Sequence, residues 1–451
     1  MPFLTPNPTR IGLVCLARRT FDVDLAAQWY ERARETIGRL PGLQLAAMEK
    51  MVVETEDAEA AIAELRTIPI DALILISGTF ALGGLATQLA QAFPVPLLLW
   101  AWPEPEEHHG RLRLNSLVGM TVNASNLYKR GYRPLTLYAA VDDPRAAEIV
   151  THLAQVAGIL RDLRCTRIGL VGGHAAGFDN LAVDKLLLRR RLGVEVIDIG
   201  LDALIARARA VPPERVQSAR DQVLRPFGDR SELTLRQADL YTALVLALED
   251  LGAEGFDGLA VKCWGDLVEA YGIAACGAVA RLTGEQVVLG CEGDVLGTLT
   301  ALIAQRLTGI PAFLSDLVSV ERERNEAFFW HIGCAPLALA NPDEPAHLFA
   351  HFAGGHGVTA GFGLRPGRVT VLRLGDDGRG NLRALAATGT ALTTRMEVRG
   401  TVVRVALDQD VSAFLDRILS EGWEHHLVVA YGDILPPVEM LCRLLDVPLV
   451  Q

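Results

Sequence analysis

Carboxylates and imidazoles gather at strand ends in the second half of this chain. Glu269 closes the string Trp264-Gly265-Asp266-Leu267-Val268-Glu269, just after an apolar strand run. Asp294 closes Cys291-Glu292-Gly293-Asp294, after the next run, Gln286–Leu289. The 25 positions from Glu269 to Asp294 make one strand–helix–strand step, so both carboxylates can reach one sheet edge. His425-His426 precedes a third run, Leu427–Tyr431. Two carboxylates and a histidine, with positions left for water or substrate, suit Mn2+ or a similar divalent cation. Carboxylates at helix starts also serve as N-caps, so spacing by itself does not separate a ligand from a cap.

Three other strings read as turns. Gly172-Gly173-His174-Ala175-Ala176-Gly177 follows a strand and opens a helix, but a dinucleotide fingerprint would need glycine where His174 stands. Glu106-Glu107-His108-His109 offers four metal-competent side chains in a row, which cannot all face one ion, and prolines mark the segment as an exposed loop. Asp376-Asp377-Gly378-Arg379-Gly380-Asn381 lacks the alternating acidic spacing of a calcium loop and reads as a hairpin turn.

The elements that must hold these residues follow from hydrophobic spacing. Runs at Ile11–Ala17, Ala72–Ile76 and Val95–Trp100 read as buried strands, between helical patterns at Phe21–Leu40, Asp57–Arg66 and Gly83–Phe93. The rhythm restarts near residue 160, with strands at Arg167–Val171, Val194–Ile199 and Gly258–Lys262. Helices are expected there at Asn180–Arg191, Leu201–Ala210, Leu235–Leu251 and Gly272–Leu282. After Leu307 the pattern turns to hairpins and short strands. The expected architecture is α/β: two Rossmann-like doubly wound domains, 1–160 and 161–290, then a β-rich barrel or sandwich-like domain, 291–451.

Composition excludes several functions. The chain has 451 residues, half of them apolar, and a formal charge of −11, which favours neither nucleic acid nor an anionic membrane. Only four lysines occur, and none is followed by Ser or Thr as a Walker A loop requires. No apolar stretch is long enough for a membrane span. Seven scattered cysteines, an odd number without a CxxC pair, exclude a disulfide framework or zinc ribbon and suggest a reducing cytoplasm. The expected partner is a small molecule.

The run CWGDLVEAYGIAACGAVARLTGEQVVLGCEGDVLGTLTALIAQRLTG, Cys263 to Gly309, resembles the metal-binding stretch of the L-fucose isomerase family, in its shorter fucose isomerase-like branch. FLSDLVSV, FFWHIGCAPLALA (Phe328–Ala340), WEHHLVVAYGD, LVGGHAAGFDN and LNSLVGMTVNAS resemble the same branch, so the likeness touches nearly the whole chain. The resemblance implies two Rossmann-like domains and a β-rich domain. It also implies Mn2+ held by Glu269, Asp294 and His426, with Glu292 and His425 as the competing assignments. Because Leu427 opens a strand, only one of the two histidines is expected to face the metal.

Such a family implies aldose–ketose isomerisation through an enediol, with Glu269 and Asp294 as ligands and proton-transfer pair, and an L-fucose or D-arabinose-like substrate. Trp264 and Trp330 are candidate platforms for the sugar, and His331 a candidate contact. The resemblance further implies a homo-oligomer, a trimer or hexamer, with Arg18, Arg19 or Trp102 near a neighbour's site. A related metal-dependent epimerase and a non-catalytic sugar-binding protein are the alternatives.

Overall fold

The computed structural model describes residues 8–106, 110–228, 232–263, 265–284, 287–350 and 357–451. The string at 106–109 and Trp264 therefore lie wholly or largely outside the described residues. The chain divides into two compact units at Asp162/Leu163.

The first unit alternates β1 (Thr9–Leu16), α1 (Val23–Gly38), β2 (Leu43–Ala47), α2 (Thr55–Leu65), β3 (Ala72–Ser77), α3 (Gly83–Ala92), β4 (Leu97–Ala101), α4 (Ser116–Lys129), β5 (Leu135–Tyr138) and α5 (Pro144–Leu163). Its five strands are parallel, in the order β2-β1-β3-β4-β5. Every residue of β3 and β4 is buried, as expected of parallel strands covered on both faces. The Tyr30 hydroxyl on α1 donates to the carbonyls of Leu13 (3.0 Å) and Met48 (2.7 Å), pinning the helix to the sheet.

The second unit opens with β6 (Arg167–Val171), α6 (Lys185–Leu192), β7 (Glu195–Ile199), α7 (Leu201–Ala210), α8 (Pro213–Leu224), α9 (Leu235–Gly252), β8 (Gly258–Val261), α10 (Asp266–Tyr271), α11 (Cys276–Leu282), β9 (Val288–Cys291) and α12 (Val295–Thr308). These strands form a parallel sheet, β7-β6-β8-β9. The helix expected from Asn180 starts only at Lys185, because the Asp184 carboxylate caps the Leu187 amide at 2.9 Å and sets the entry. The helix expected from Gly272 starts at Cys276, since Gly272 (φ +104°) ends α10 in a left-handed turn.

The remaining strands are β10 (Phe313–Glu321), β11 (Glu326–His331), β12 (His347–Ala350), β13 (Val358–Gly363), β14 (Gly367–Asp376), β15 (Leu382–Ala391), β16 (Thr401–Leu407), β17 (His426–Tyr431) and β18 (Leu449–Val450), with α13 (Val411–Ser420) and α14 (Leu435–Leu445). They form one mixed sheet, β12-β13-β16-β11-β10-β17-β14-β15-β18. An extra β15–β16 pairing closes β16-β11-β10-β17-β14-β15 into a barrel, removing the free edges of those six strands. The β-rich region is thus mixed, with parallel pairs β13–β16 and β15–β18 among antiparallel neighbours. Apolar side chains from the parallel sheet (Leu259, Leu289), from α9 and α11, and from the barrel (Phe329, Val371, Val403, Val429) form one continuous core. The sequence boundary near residue 290 falls inside this core, at the end of β9. No helix among the described residues is long and apolar enough to cross a membrane.

Tyr30→Phe, which removes the hydroxyl from the Met48 carbonyl while the Leu13 carbonyl keeps the Met48 amide, is expected to lower stability by about 1 kcal/mol in a urea titration, with no effect on the second unit's barrel.

Candidate active site

The parallel strands of the second unit end where ligands collect in such sheets, outside their carboxyl ends. β9 leaves the sheet through a sharp turn. Glu292 takes a left-handed conformation at φ +62°, and Gly293 follows at φ +76°. A Cβ on Gly293 would run into the carbonyl oxygen of Gly173 and the Cα of His174. The glycine-rich turn after β6 therefore lies against this bend, and the Ala175 amide donates to the Glu292 carbonyl at 3.0 Å. That close approach explains glycine at 293.

Asp294 is the N-cap of α12 and is fully buried. Its Oδ1 accepts from the Gly297 amide (2.8 Å) and from Arg373 Nη2 (3.1 Å), and its Oδ2 from Arg373 Nη1 (2.5 Å). Oδ2 also meets His426 Nδ1 at 2.9 Å. Burial pushes the Asp294 carboxyl up, but the Arg373 charge and the His426 hydrogen bond more than reverse this and hold it well below the usual carboxylate range. An ionised carboxylate only accepts, so His426 Nδ1 must carry the proton that is donated. The lone pair of a neutral His426 then sits on Nε2, on the far side of the ring.

That nitrogen faces a cluster. His426 Nε2 lies 3.3 Å from Glu292 Oε2, 3.8 Å from Asp316 Oδ1 and 3.3 Å from His331 Nε2. His425 Nε2 reaches the same Glu292 oxygen at 3.3 Å, while its Nδ1 meets Asn180 Nδ2 at 3.2 Å. Both neighbouring histidines thus face Glu292. Strand alternation does not part them, because His425 precedes the strand that His426 opens. The register of the barrel does the rest: Asp316 on β10 pairs with His426 on one side and Trp330 on the other. His331 Nδ1 accepts the Ile332 amide at 2.9 Å, so in the neutral ring the proton stands on Nε2, toward His426.

The residues expected from the sequence are placed as follows. Glu292, Asp294, His331, His425 and His426 converge in the second unit. Glu269 is exposed on α10 and is not among the ligand atoms that gather within 4.8 Å of one another. Trp330 is half-buried, donates through Nε1 to the Arg399 carbonyl (2.8 Å) and lies near-parallel to His331, with centroids 6.4 Å apart. Sequence reasoning passed over Asp316 and Arg373. The string FLSDLVSV offered a carboxylate inside an apolar strand, a signal of a buried functional group. Arg373, fully buried within the apolar β14, offered the same signal.

The donor set fits a divalent cation. Glu292, His331 and His426 present ligand atoms within 4.8 Å of one another, as do Asp316, His425 and His426. The buried Asp316 Oδ1 has no hydrogen-bond partner among the described residues, an oxygen aimed into the cluster and left unsatisfied. Burial pulls the His426 imidazole down, yet its hydrogen bonds to Asp294 and Glu292 push it above the ordinary histidine value. Burial pushes Glu292 up, and hydrogen bonds from His425 and His426 drive it far lower. The pocket therefore favours positive charge, which a proton or a metal ion can supply. Carboxylate oxygens with imidazole nitrogens are the donors that Mn2+ and its neighbours take, and a carboxylate behind a ligating histidine is the usual orienting partner.

Relatives match the chain along nearly its whole length. The N-terminal domain model described as fucose/sulfoquinovose isomerase matches residues 12–164. The sulfoquinovose isomerase of Alkalicoccus urumqiensis is 30% identical over 441 residues, covering 97% of this chain and 98% of its own. Those of Priestia aryabhattai and Clostridium sp. (strain MSTE9) are each 29% identical, covering 97% and 92% of this chain and 98% and 93% of their own lengths. The chain belongs to the fucose/sulfoquinovose isomerase family. Membership places it among the sugar isomerases rather than among non-catalytic sugar-binding proteins.

In this family member the Asp294–Arg373 pair is a buried charge pair whose loss would leave Asp294 uncompensated. Arg373→Met is expected to destabilise the second unit by about 3–5 kcal/mol in chemical denaturation, and Arg373→Lys by less.

Proposed function

We propose that the protein interconverts an aldose and its ketose, with a 6-sulfonated hexose of the sulfoquinovose type as substrate, at a divalent-metal centre of the Mn2+ class. The observation that supports the reading is that two donor trios, Glu292–His331–His426 and Asp316–His425–His426, meet at the buried His426, in a chain that matches sulfoquinovose isomerases along nearly its whole length. The sulfonated substrate comes from those relatives' names and stands in place of the fucose or arabinose expected from the family resemblance.

Glu292, His426 and Asp316 would hold the ion, with His425 beside them. When bound, it supplies Lewis-acid stabilisation of the negative charge that grows on the sugar oxygens as the enediol forms. The chain's own residues do the rest. Asp294 keeps the Nδ1 proton on His426 and so keeps Nε2 directed at the pocket. Arg373 holds Asp294 ionised. Glu292 and Asp316 are the carboxylates in place to take the proton from the carbon next to the carbonyl and return it to its neighbour. His331 holds its Nε2 N–H toward His426 and so steadies the ring beside the pocket, and Trp330 next to it offers an apolar face to the sugar ring.

A trimer or hexamer accompanies this proposal. Of the three residues considered for a neighbour's site, Arg18 and Arg19 are exposed, whereas Trp102 is buried in its own unit against Trp29 and Trp100. Light scattering at micromolar concentration is expected to give at least a trimer; a monomer would remove this part of the reading.

NMR of the full chain with Mn2+ is expected to show sulfoquinovose converting to its 2-ketose, with L-fucose turned over at least tenfold more slowly. No conversion of either sugar with any divalent ion would refute the isomerase assignment for this chain. Asp294→Asn, which removes the orienting partner of His426, is expected to cut metal affinity and rate by about one to two orders of magnitude, and Glu292→Gln, which removes a proposed ligand, by at least as much. Glu269→Gln separates two ligand sets: a loss of metal affinity equal to that of Glu292→Gln would bring Glu269 into the centre, and a small effect leaves it outside.

A further inference from the structure

Three cysteines that no sequence motif joins meet inside the second unit. Cys263 follows β8, Cys276 opens α11 and Cys291 ends β9. Their sulfurs lie within 4.8 Å of one another, and all three side chains are fully buried. None is in a disulfide. Cys334, in the loop after β11, stands within the same distance of Cys291 and His331, and its thiol is 3.6 Å from the Leu314 carbonyl. A single buried cysteine behaves as a small apolar side chain. Three that arrive from separate segments and point at one another are different, because a thiol is a weak donor and sulfur a weak acceptor. Sulfurs on one tetrahedral zinc stand about 3.8 Å apart, from Zn–S bonds of about 2.3 Å, so closing this trio on an ion needs shifts of roughly 1 Å or less.

We propose that Cys263, Cys276 and Cys291 form a site for one thiophilic cation, Zn2+ or Cu+, distinct in donor chemistry from the carboxylate–imidazole centre. Loading breaks three S–H bonds, forms three metal–sulfur bonds and releases three protons to the buffer, with no change of oxidation state. Soft sulfur donors select such ions, whereas oxygen and imidazole donors at Glu292, Asp316 and His426 select harder ones. Cu+ is satisfied by these three sulfurs; on Zn2+ a fourth sulfur, from Cys334 beside Cys291, would break a fourth S–H bond and release a fourth proton. The ion would tie the ends of β8 and β9 to the start of α11, and the end of β9 carries Glu292. The site is structural.

The test uses the full-length protein, purified without chelator or metal-affinity resin. Elemental analysis is expected to find one equivalent of zinc or copper, and the metal retained says which ion the site takes. Co2+ added to the stripped protein is expected to give a thiolate-to-cobalt charge-transfer band in the near ultraviolet. That band should vanish in Cys276→Ala and persist in Glu292→Gln, which disables only the carboxylate–imidazole centre. Folded wild-type protein that retains neither zinc nor copper and shows no such band would overturn the proposal. Because the band does not depend on turnover, failure here and failure of the isomerase reading are separately visible.

Discussion

The carboxylate of Asp294 is the contact on which the rest of the site depends. It sits with no solvent exposure at the start of α12, where an unpaired charge would be prohibitive. Three partners make it tolerable: the α12 amide of Gly297, the guanidinium of Arg373 on β14 and the imidazole of His426 on β17. Each comes from a different element, so the pairing ties the parallel sheet to two adjacent barrel strands. It also fixes which nitrogen of His426 faces the pocket. One buried charge thus sets the orientation of the ring that the catalytic chemistry needs.

Around that fixed ring the donors are sorted by type. Oxygen and nitrogen atoms of Glu292, Asp316, His331, His425 and His426 collect on the Nε2 side. The sulfurs of Cys263, Cys276 and Cys291 collect at the ends of β8 and β9, with Cys334 close to both Cys291 and the imidazole of His331. Adjacent residues fall into different groups: Cys291 turns into the core and Glu292 out to the pocket. The left-handed turn at Glu292 and Gly293 then bends the chain at the sheet edge, which a continuing strand would carry it past.

The same turn gives the glycine-rich loop after β6 a packing role. Gly172, Gly173 and Gly177 all take positive φ, and the loop packs against Gly293 where a side chain would not fit. Asn180, just beyond it, then meets His425. The loop is a rim of the pocket, held there by backbone contact.

The sequence by itself determined the strand–helix alternation, because buried parallel strands such as β3 and β4 are uninterrupted apolar runs. It also showed the change to β structure after Leu307 and the family, through CEGDVLG and EHHLVVAY. It marked Glu292, Asp294, His331, His425 and His426 as residues of interest. Which of these touch, and through which atoms, only the tertiary structure decided. Asp316 meets His426 because of the β10–β17 register, and Arg373 meets Asp294 across 79 positions of chain. Cys263, Cys276 and Cys291 meet because parallel strands with crossover helices return to the same sheet edge. Local spacing carries the period of a helix or a strand. It does not carry the register of strands paired over a hundred residues, nor the direction in which a buried charge finds its partner.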